Sequence, residues 1–299
     1  IVQSCDTYYY ILASDMGVDL IAQQMTPLGF GQMTGIDLEG EVKGVLPSTD
    51  WKKRTYRKPE QKKWYAGETI SLGIGQGYNS FTILQLALAT STLAAGGERY
   101  KPHLVREVKD VITDVSRPVA KAPSPRLDIK PEFFEVIRTA LVGVNREGTS
   151  ASSFAGAGYV AAGKTGTAQV VGIKANEKYS ASKMAEHLRD NALYMAFAPA
   201  DKPTIAVALV VENAGFGAQS AAPIVRRVFD YWLQNLYPVD EDIAAVQLGH
   251  ASAPIRPSKP LAEASNVRIA APVVTAASAA EAAEAASAVA ARASERGTP

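Results

Sequence analysis

The chain has 299 residues, and its 31 Lys+Arg against 30 Asp+Glu leave a net charge of +1. That balance gives no general field for nucleic acid. One cysteine, Cys5, excludes an internal disulfide framework and a Cys-rich zinc module. No apolar run reaches the roughly 18 residues needed to span a bilayer, and no signal peptide is visible. The first residues, IVQSCDTYYYILASDMG, read as the interior of a helical domain. The chain is therefore expected to be the C-terminal part of a longer protein, and its lack of an export or anchor segment says little about the intact molecule.

In chain order, residues 1–30 place Tyr8, Ile11, Leu12, Leu20, Ile21 and Met25 at helical spacing, with Gly17 where two helices would separate. Residues 31–80 read as irregular. Residues 82–95 predict a buried helix with Thr82 as N-cap and Gly96-Gly97 as its stop. A strand is expected over 103–108. Over 131–147, Phe134, Ile137, Leu141 and Val144 mark one helix face. After Gly163 the period changes, and KTGTAQVV, ALYMAFAPA and TIAVALVVEN predict three strands, the last two joined at Asp201-Lys202-Pro203. Residues 219–236 close the fold as an amphipathic helix. The fold class is α+β, helices before and after an antiparallel sheet. Beyond Tyr237 no aromatic residue occurs. The domain is therefore expected to end at 239. Residues 240–299, rich in Ala, Pro and Glu, are expected to be a disordered tail with a transient helix over 276–293.

Three segments could carry chemistry. Lys164-Thr165-Gly166-Thr167 lies on a predicted strand: an ammonium and hydroxyls there can hold a carboxylate, and Gly166 lets a substrate backbone approach the edge. Alone, the motif is better read as a strand start with an exposed lysine. Ser4-Cys5-Asp6 reads either as a helix N-cap or as a relay hydroxyl, Ser4, with a hydrogen-bonding partner, Asp6. The run Gly73-Ile74-Gly75-Gln76-Gly77 lacks the Lys-Ser/Thr of a phosphate loop, so close backbone packing against a helix explains it better than nucleotide binding.

Together with TGIDLEGE (34–41), YAGETISLGIGQGY (65–78) and the segment 174–190 that follows the K-T-G strand, these motifs occur in one order. On them, residues 1–236 resemble the transpeptidase domain of class B penicillin-binding proteins, and more narrowly the elongation-type D,D-transpeptidases. The resemblance implies the fold shared by penicillin-binding proteins and serine β-lactamases, lacking its N-terminal part, and the S-x-x-K, S-D-N and K-T-G motif set. It implies Ser4, Asp6 and Lys164 as catalytic residues and Thr165, Gly166 and Thr167 as substrate-binding ones. The backbone N–H near Thr167 would form half of an oxyanion hole. It also implies no cofactor, and peptidoglycan stem peptides and β-lactams as ligands. A SEDS-type glycan polymerase and other elongation-complex proteins would be partners. The site would lie in the periplasm, on a bacterial inner-membrane protein held by an N-terminal anchor. Two departures stand out. The second motif ends in Asp6, which cannot donate the amide hydrogen bond of the usual Asn. The acylating S-x-x-K is expected before Ile1, since the one present match, Ser180 to Lys183, follows the K-T-G strand and has no apolar helix around it. The chain alone is then expected to be inactive, with apolar surface exposed on the sheet of residues 160–236.

Other readings fit less well. A Ser-His-Asp hydrolase needs a histidine base near a G-x-S-x-G turn, and His103, His187 and His250 read as surface or capping residues. Cys5 reads as a small core residue rather than a metal ligand. The basic run WKKRTYRKPEQKK (51–63) reads as a solvated loop rather than a nucleic-acid or lipid patch. A non-catalytic scaffold or binding module of the elongation complex is the alternative from a different class.

Overall fold

The computed structural model describes residues 1–119, 126–172, 184–250 and 254–263. Helix α1 (Asp6–Met25) is kinked where Gly17 takes φ 73°, ψ 158°, at the break expected from the sequence. The stretch expected to be irregular holds three short helices, α2 (Thr49–Thr55), α3 (Pro59–Lys62) and α4 (Ala66–Leu72). Their lengths, at most 7 residues, are too short for a periodic apolar face to register. Helix α5 (Ile83–Ala94) starts in a capping box: Thr82 Oγ1 accepts from Gln85 N at 3.1 Å, and Gln85 Oε1 accepts from Thr82 N at 3.0 Å. A hairpin of β1 (Glu107–Lys109) and β2 (Ser116–Pro118) follows, slightly beyond the strand expected at 103–108.

Helix α6 (Pro131–Arg146) and the single turn α7 (Ala151–Phe154) lead into the central sheet, β3 (Ala162–Ala168), β4 (Asn191–Ala198) and β5 (Ile205–Val211). It is antiparallel in the order β3-β4-β5. Helix α8 (Gly217–Gln234) covers one face. Alternation puts Ala192, Tyr194, Ala196 and Ala198 on that face, packed with Ala221, Ala222, Val225 and Phe229 of α8. Phe197 and Ala162 turn the other way, onto Leu141 of α6. Burial of Phe229 or Leu141 contributes about 1.5–3 kcal/mol each.

The ordered body does not stop at 239. Helix α9 (Asp240–Gln247) follows strand β6 (Leu236–Tyr237), which pairs with β7 (Lys259–Pro260). The buried Asp242 accepts from the N–H groups of Ile255 and Arg256 at 2.9 and 2.6 Å and from the Arg256 guanidinium at 2.6 Å. Polar anchoring of this kind holds a segment too poor in apolar residues to be recognised by composition. The rest of the expected tail, including 276–293, lies outside the described residues, as do Ser180 and Lys183.

The basic run is not a solvated loop throughout. Lys52 is buried and paired with Glu68 of α4, with the rings of Trp64, Tyr65 and Tyr78 5.3–5.5 Å from its ammonium. Burial opposes ionisation of Glu68, but hydrogen bonds from Lys52, Tyr65 and Tyr78 outweigh it and hold the carboxyl below its ordinary range. Large exposed apolar side chains occur on helices, as at Ile11 of α1, Val136 of α6 and Trp232 of α8, whereas the residues of β5 are all half-buried.

The first turn of α8 can lie on the sheet only because position 217 is glycine. A Cβ there would sit 2.2 Å from the Leu193 carbonyl oxygen and 2.5 Å from that of Gly166. Gly217→Ala should destabilise the protein by about 1–3 kcal/mol through forced separation of α8 and β3. Denaturant unfolding measures this, and an unchanged midpoint would contradict it.

Candidate active site

Residues 160 positions apart meet at the head of α1. The Lys164 Nζ donates to Ser4 Oγ at 2.6 Å. Ser4 is placed by a tight turn, its N–H bonded to the Ile1 carbonyl at 3.1 Å, and takes φ 52°. A left-handed non-glycine residue costs of order 1–3 kcal/mol and persists only where its surroundings hold it. The N-cap of α1 is Cys5, with no side-chain cap, so neither Ser4 nor Asp6 is used as a cap. Cys5 is exposed rather than a core residue. Among the described residues no three His, Cys, Asp or Glu side chains group as a metal site. His103, His187 and His250 are all exposed.

Among the described residues, β3 pairs on one side only, with β4. Its other edge faces an open cleft of ≈ 1210 Å³, lined by Ser4, Asp6, Lys164, Thr165, Gly166 and Thr167 among others. All six residues singled out from the sequence thus border one space. Successive side chains of β3 point to opposite faces, yet the Lys164 ammonium reaches round the free edge and donates to the Thr165 carbonyl at 2.8 Å. Burial lowers the Lys164 pKa below 10.5, while the Asp6 carboxylate acts against that shift. The first turn of α8, Phe216 to Gln219, also borders the cleft and turns the positive end of its dipole toward it.

Residues without a recognisable motif complete the site. Gln76 of the glycine-rich run donates from Nε2 to the Thr167 carbonyl at 2.8 Å. Close packing against a helix holds for Gly73, where a Cβ would lie 2.6 Å from both Ala13 Cβ and the Tyr9 carbonyl of α1. It does not hold for Gly75, which has nothing within 4 Å and is a glycine for its φ of 81°. Thr149 Oγ1 lies 2.9 Å from Thr165 Oγ1. Asp190, buried at the start of β4, borders the cleft, and burial pushes its carboxyl upward. Only the glycine pattern around Gln76 was a signal. Thr149 and Asp190 sit in no periodic segment.

An edge strand bearing Lys-Thr-Gly-Thr, with a serine hydroxyl on its ammonium, groups a cation and hydroxyls that can hold a carboxylate and pass protons. The penicillin binding protein transpeptidase domain matches residues 1–230, and the chain belongs to that family. It is 43% identical to the peptidoglycan D,D-transpeptidase MrdA of Acinetobacter baumannii over 237 residues, 78% of this chain and 34% of the relative. It is 36% identical to MrdA of Haemophilus influenzae over 275 residues, 89% of this chain and 39% of the relative. The chain therefore spans well under half the length of these relatives. Among solved structures it is similar to Pseudomonas aeruginosa PBP2 in complex with WCK 5153, at TM-score 0.63 and 36% identity, covering 77% of this chain and 45% of that one. Helicobacter pylori PBP2 in complex with MreC matches at TM-score 0.61 and 25% identity, covering 78% and 39%.

Because burial disfavours the charged Lys164, the unfolded chain holds this proton more tightly, and stability should rise with pH between the depressed pKa and 10.5. Asp6→Asn should move the Lys164 transition to still lower pH. Titration of the Lys164 Nζ by NMR measures both. An unshifted lysine, or an upward move in Asp6→Asn, would contradict this electrostatic account.

Proposed function

We propose that this chain supplies the substrate-gripping and proton-relay wall of a serine-type peptidoglycan D,D-transpeptidase. The acyl-forming serine belongs to an S-x-x-K segment outside these 299 residues. The observation that carries the reading is the 2.6 Å contact between Lys164 Nζ and Ser4 Oγ, at the free edge of β3.

The chemistry follows from the groups present. A stem peptide ending in D-Ala-D-Ala is laid along the free edge of β3, where Gly166 presents no side chain. The Lys164 ammonium and the Thr165 hydroxyl hold its terminal carboxylate, Thr167 assists, and the nearby start of α8 adds favourable potential. The backbone N–H near Thr167 stabilises the oxyanion when the serine attacks the penultimate carbonyl. Gln76, by occupying the Thr167 carbonyl, keeps that stretch of edge in register. The serine hydroxyl's proton passes through the Ser4 hydroxyl toward the leaving D-alanine amine. Ser4 accepts from Lys164, so its own proton is free to be donated. Asp6 holds charge on Lys164 and orients the neighbouring groups. An amine of a second stem peptide then attacks the ester, releasing the serine and closing the cross-link. A β-lactam presents the same carboxylate and acylates the same serine. Without that serine, residues 1–299 are inactive by themselves.

Elongation-complex proteins are the proposed partners, a SEDS-type polymerase among them. The complex of the Helicobacter pylori relative with MreC supports this. A peptidoglycan synthase complex that coordinates polymerization and crosslinking, 29% identical, supports it too. The site works in the periplasm, on a protein anchored in the inner membrane.

The test is intact mass after penicillin treatment of the protein made from its complete reading frame. One covalent adduct, mapped to a serine outside residues 1–299, is expected. Lys164→Ala should slow its formation by about 10²-fold or more, since a charged carboxylate contact is lost. No adduct on a folded protein would overturn the enzyme and leave the scaffold reading.

A further inference from the structure

Behind the free edge lies a polar cluster that the proposed reaction does not use. Asn145 at the end of α6, Ser150 in the following loop and Tyr194 on β4 are all buried. The Ser150 hydroxyl donates to Asn145 Oδ1 at 2.6 Å, Tyr194 donates to the same oxygen, and the two hydroxyls are 3.1 Å apart. Asn145 Nδ2 donates to the Ala161 carbonyl at 3.0 Å, just before β3 begins. Tyr194 stands opposite Thr165 in the ladder. Its ring end passes over β3 where a Cβ on Gly163 would fall 2.4 Å from its hydroxyl oxygen. A fully satisfied buried polar cluster fixes one geometry, because every alternative strands a polar group away from water.

What the cluster fixes is the loop of residues 147–150, and with it Thr149. That residue touches both halves of the site. Its N–H donates to the Val2 carbonyl at 3.4 Å, two residues before Ser4, and its hydroxyl lies 2.9 Å from that of Thr165. The Val2 carbonyl also rules out a side chain at Gly148, where a Cβ would lie 2.4 Å from it. A threonine hydroxyl has one proton and a free rotor. If Thr165 is to donate its one proton to a carboxylate, its oxygen can only accept. Lys164 Nζ, 3.4 Å away, is one donor to it, and a second donor beside it would hold the rotor.

We propose that Thr149 is a positioning residue: its hydroxyl donates to Thr165 Oγ1, turning the Thr165 proton toward the substrate carboxylate, while the Asn145–Ser150–Tyr194 cluster holds Thr149 in place. This rests on the reading of Thr165 as a carboxylate ligand. It makes Thr149 matter for ligands with a carboxylate and not for those without.

The experiment compares acylation of the complete protein by benzylpenicillin and by its uncharged methyl ester. In Thr149→Val, which keeps shape and loses the hydroxyl, the rate constant for benzylpenicillin should fall about tenfold while that for the ester changes by less than about twofold. Thr149→Ser should restore the preference for the free acid. Tyr194→Phe should reduce it in the same sense, through a loosened loop. The thermal transition of Thr149→Val should match that of the unaltered protein. Equal losses for both ligands would mean a merely structural role and overturn the proposal, as would no loss at all. Those outcomes leave the transpeptidase reading intact. Failure of the unaltered protein to acylate overturns both.

Discussion

An edge strand leaves alternate backbone N–H and C=O groups without sheet partners, and a protein that exposes such an edge must manage it. In β3 the edge is held in use from both ends of the chain. The Lys164 ammonium folds round it to the Thr165 carbonyl and to Ser4, Gln76 takes the Thr167 carbonyl, and the start of α8 closes over Gly166. What remains between these contacts is a stretch of backbone and hydroxyls suited to an extended peptide with an acidic end. The close approaches of Gly73 to α1 and of Gly217 to Gly166 bring separate elements to this one edge.

The placement of charge follows from the same geometry. Lys164 is drawn out of water by the elements that crowd the edge, which disfavours its cation, and the nearby Asp6 partly restores it. A lysine so balanced holds its proton less tightly than one in water, and Asp6 limits that loss. Ser4, which takes the Lys164 hydrogen bond, stands in a left-handed conformation held by the turn back to the Ile1 carbonyl. Asp6 does its electrostatic work as a charge, which the amide of the more usual asparagine would not supply.

Much of the architecture was legible in the residues because it rests on local rules. The Thr82 capping box, the apolar stripe of α6 and the alternation of β4 each declare themselves within a few positions. The motif residues Ser4, Asp6, Lys164, Thr165, Gly166 and Thr167 were legible through resemblance, and all six border the cleft. Thr149 and the Asn145–Ser150–Tyr194 cluster were not, and the glycine run marked the position of Gln76 without showing its role. The partners of these side chains lie from 5 to 91 positions away, and no periodicity distinguishes a hydroxyl that meets another hydroxyl from one that meets water. Composition also misled at both ends of its scale. The basic run hides a buried lysine caged by aromatic rings, because it has one carboxylate, Glu68, to pair with. The apolar-poor stretch after Val239 is held by Asp242 and Arg256 rather than by a core.

The contact on which the account depends is between Ser4 and Lys164, and a double-mutant cycle measures it most directly. Ser4→Ala, Lys164→Ala and the double variant would be compared for penicillin acylation in the complete protein. Two groups of one proton-relay unit should be coupled, with the double variant less impaired than the sum of the singles by about 1–3 kcal/mol. Additive effects would mean that the two side chains act independently, and would contradict a site assembled around their contact.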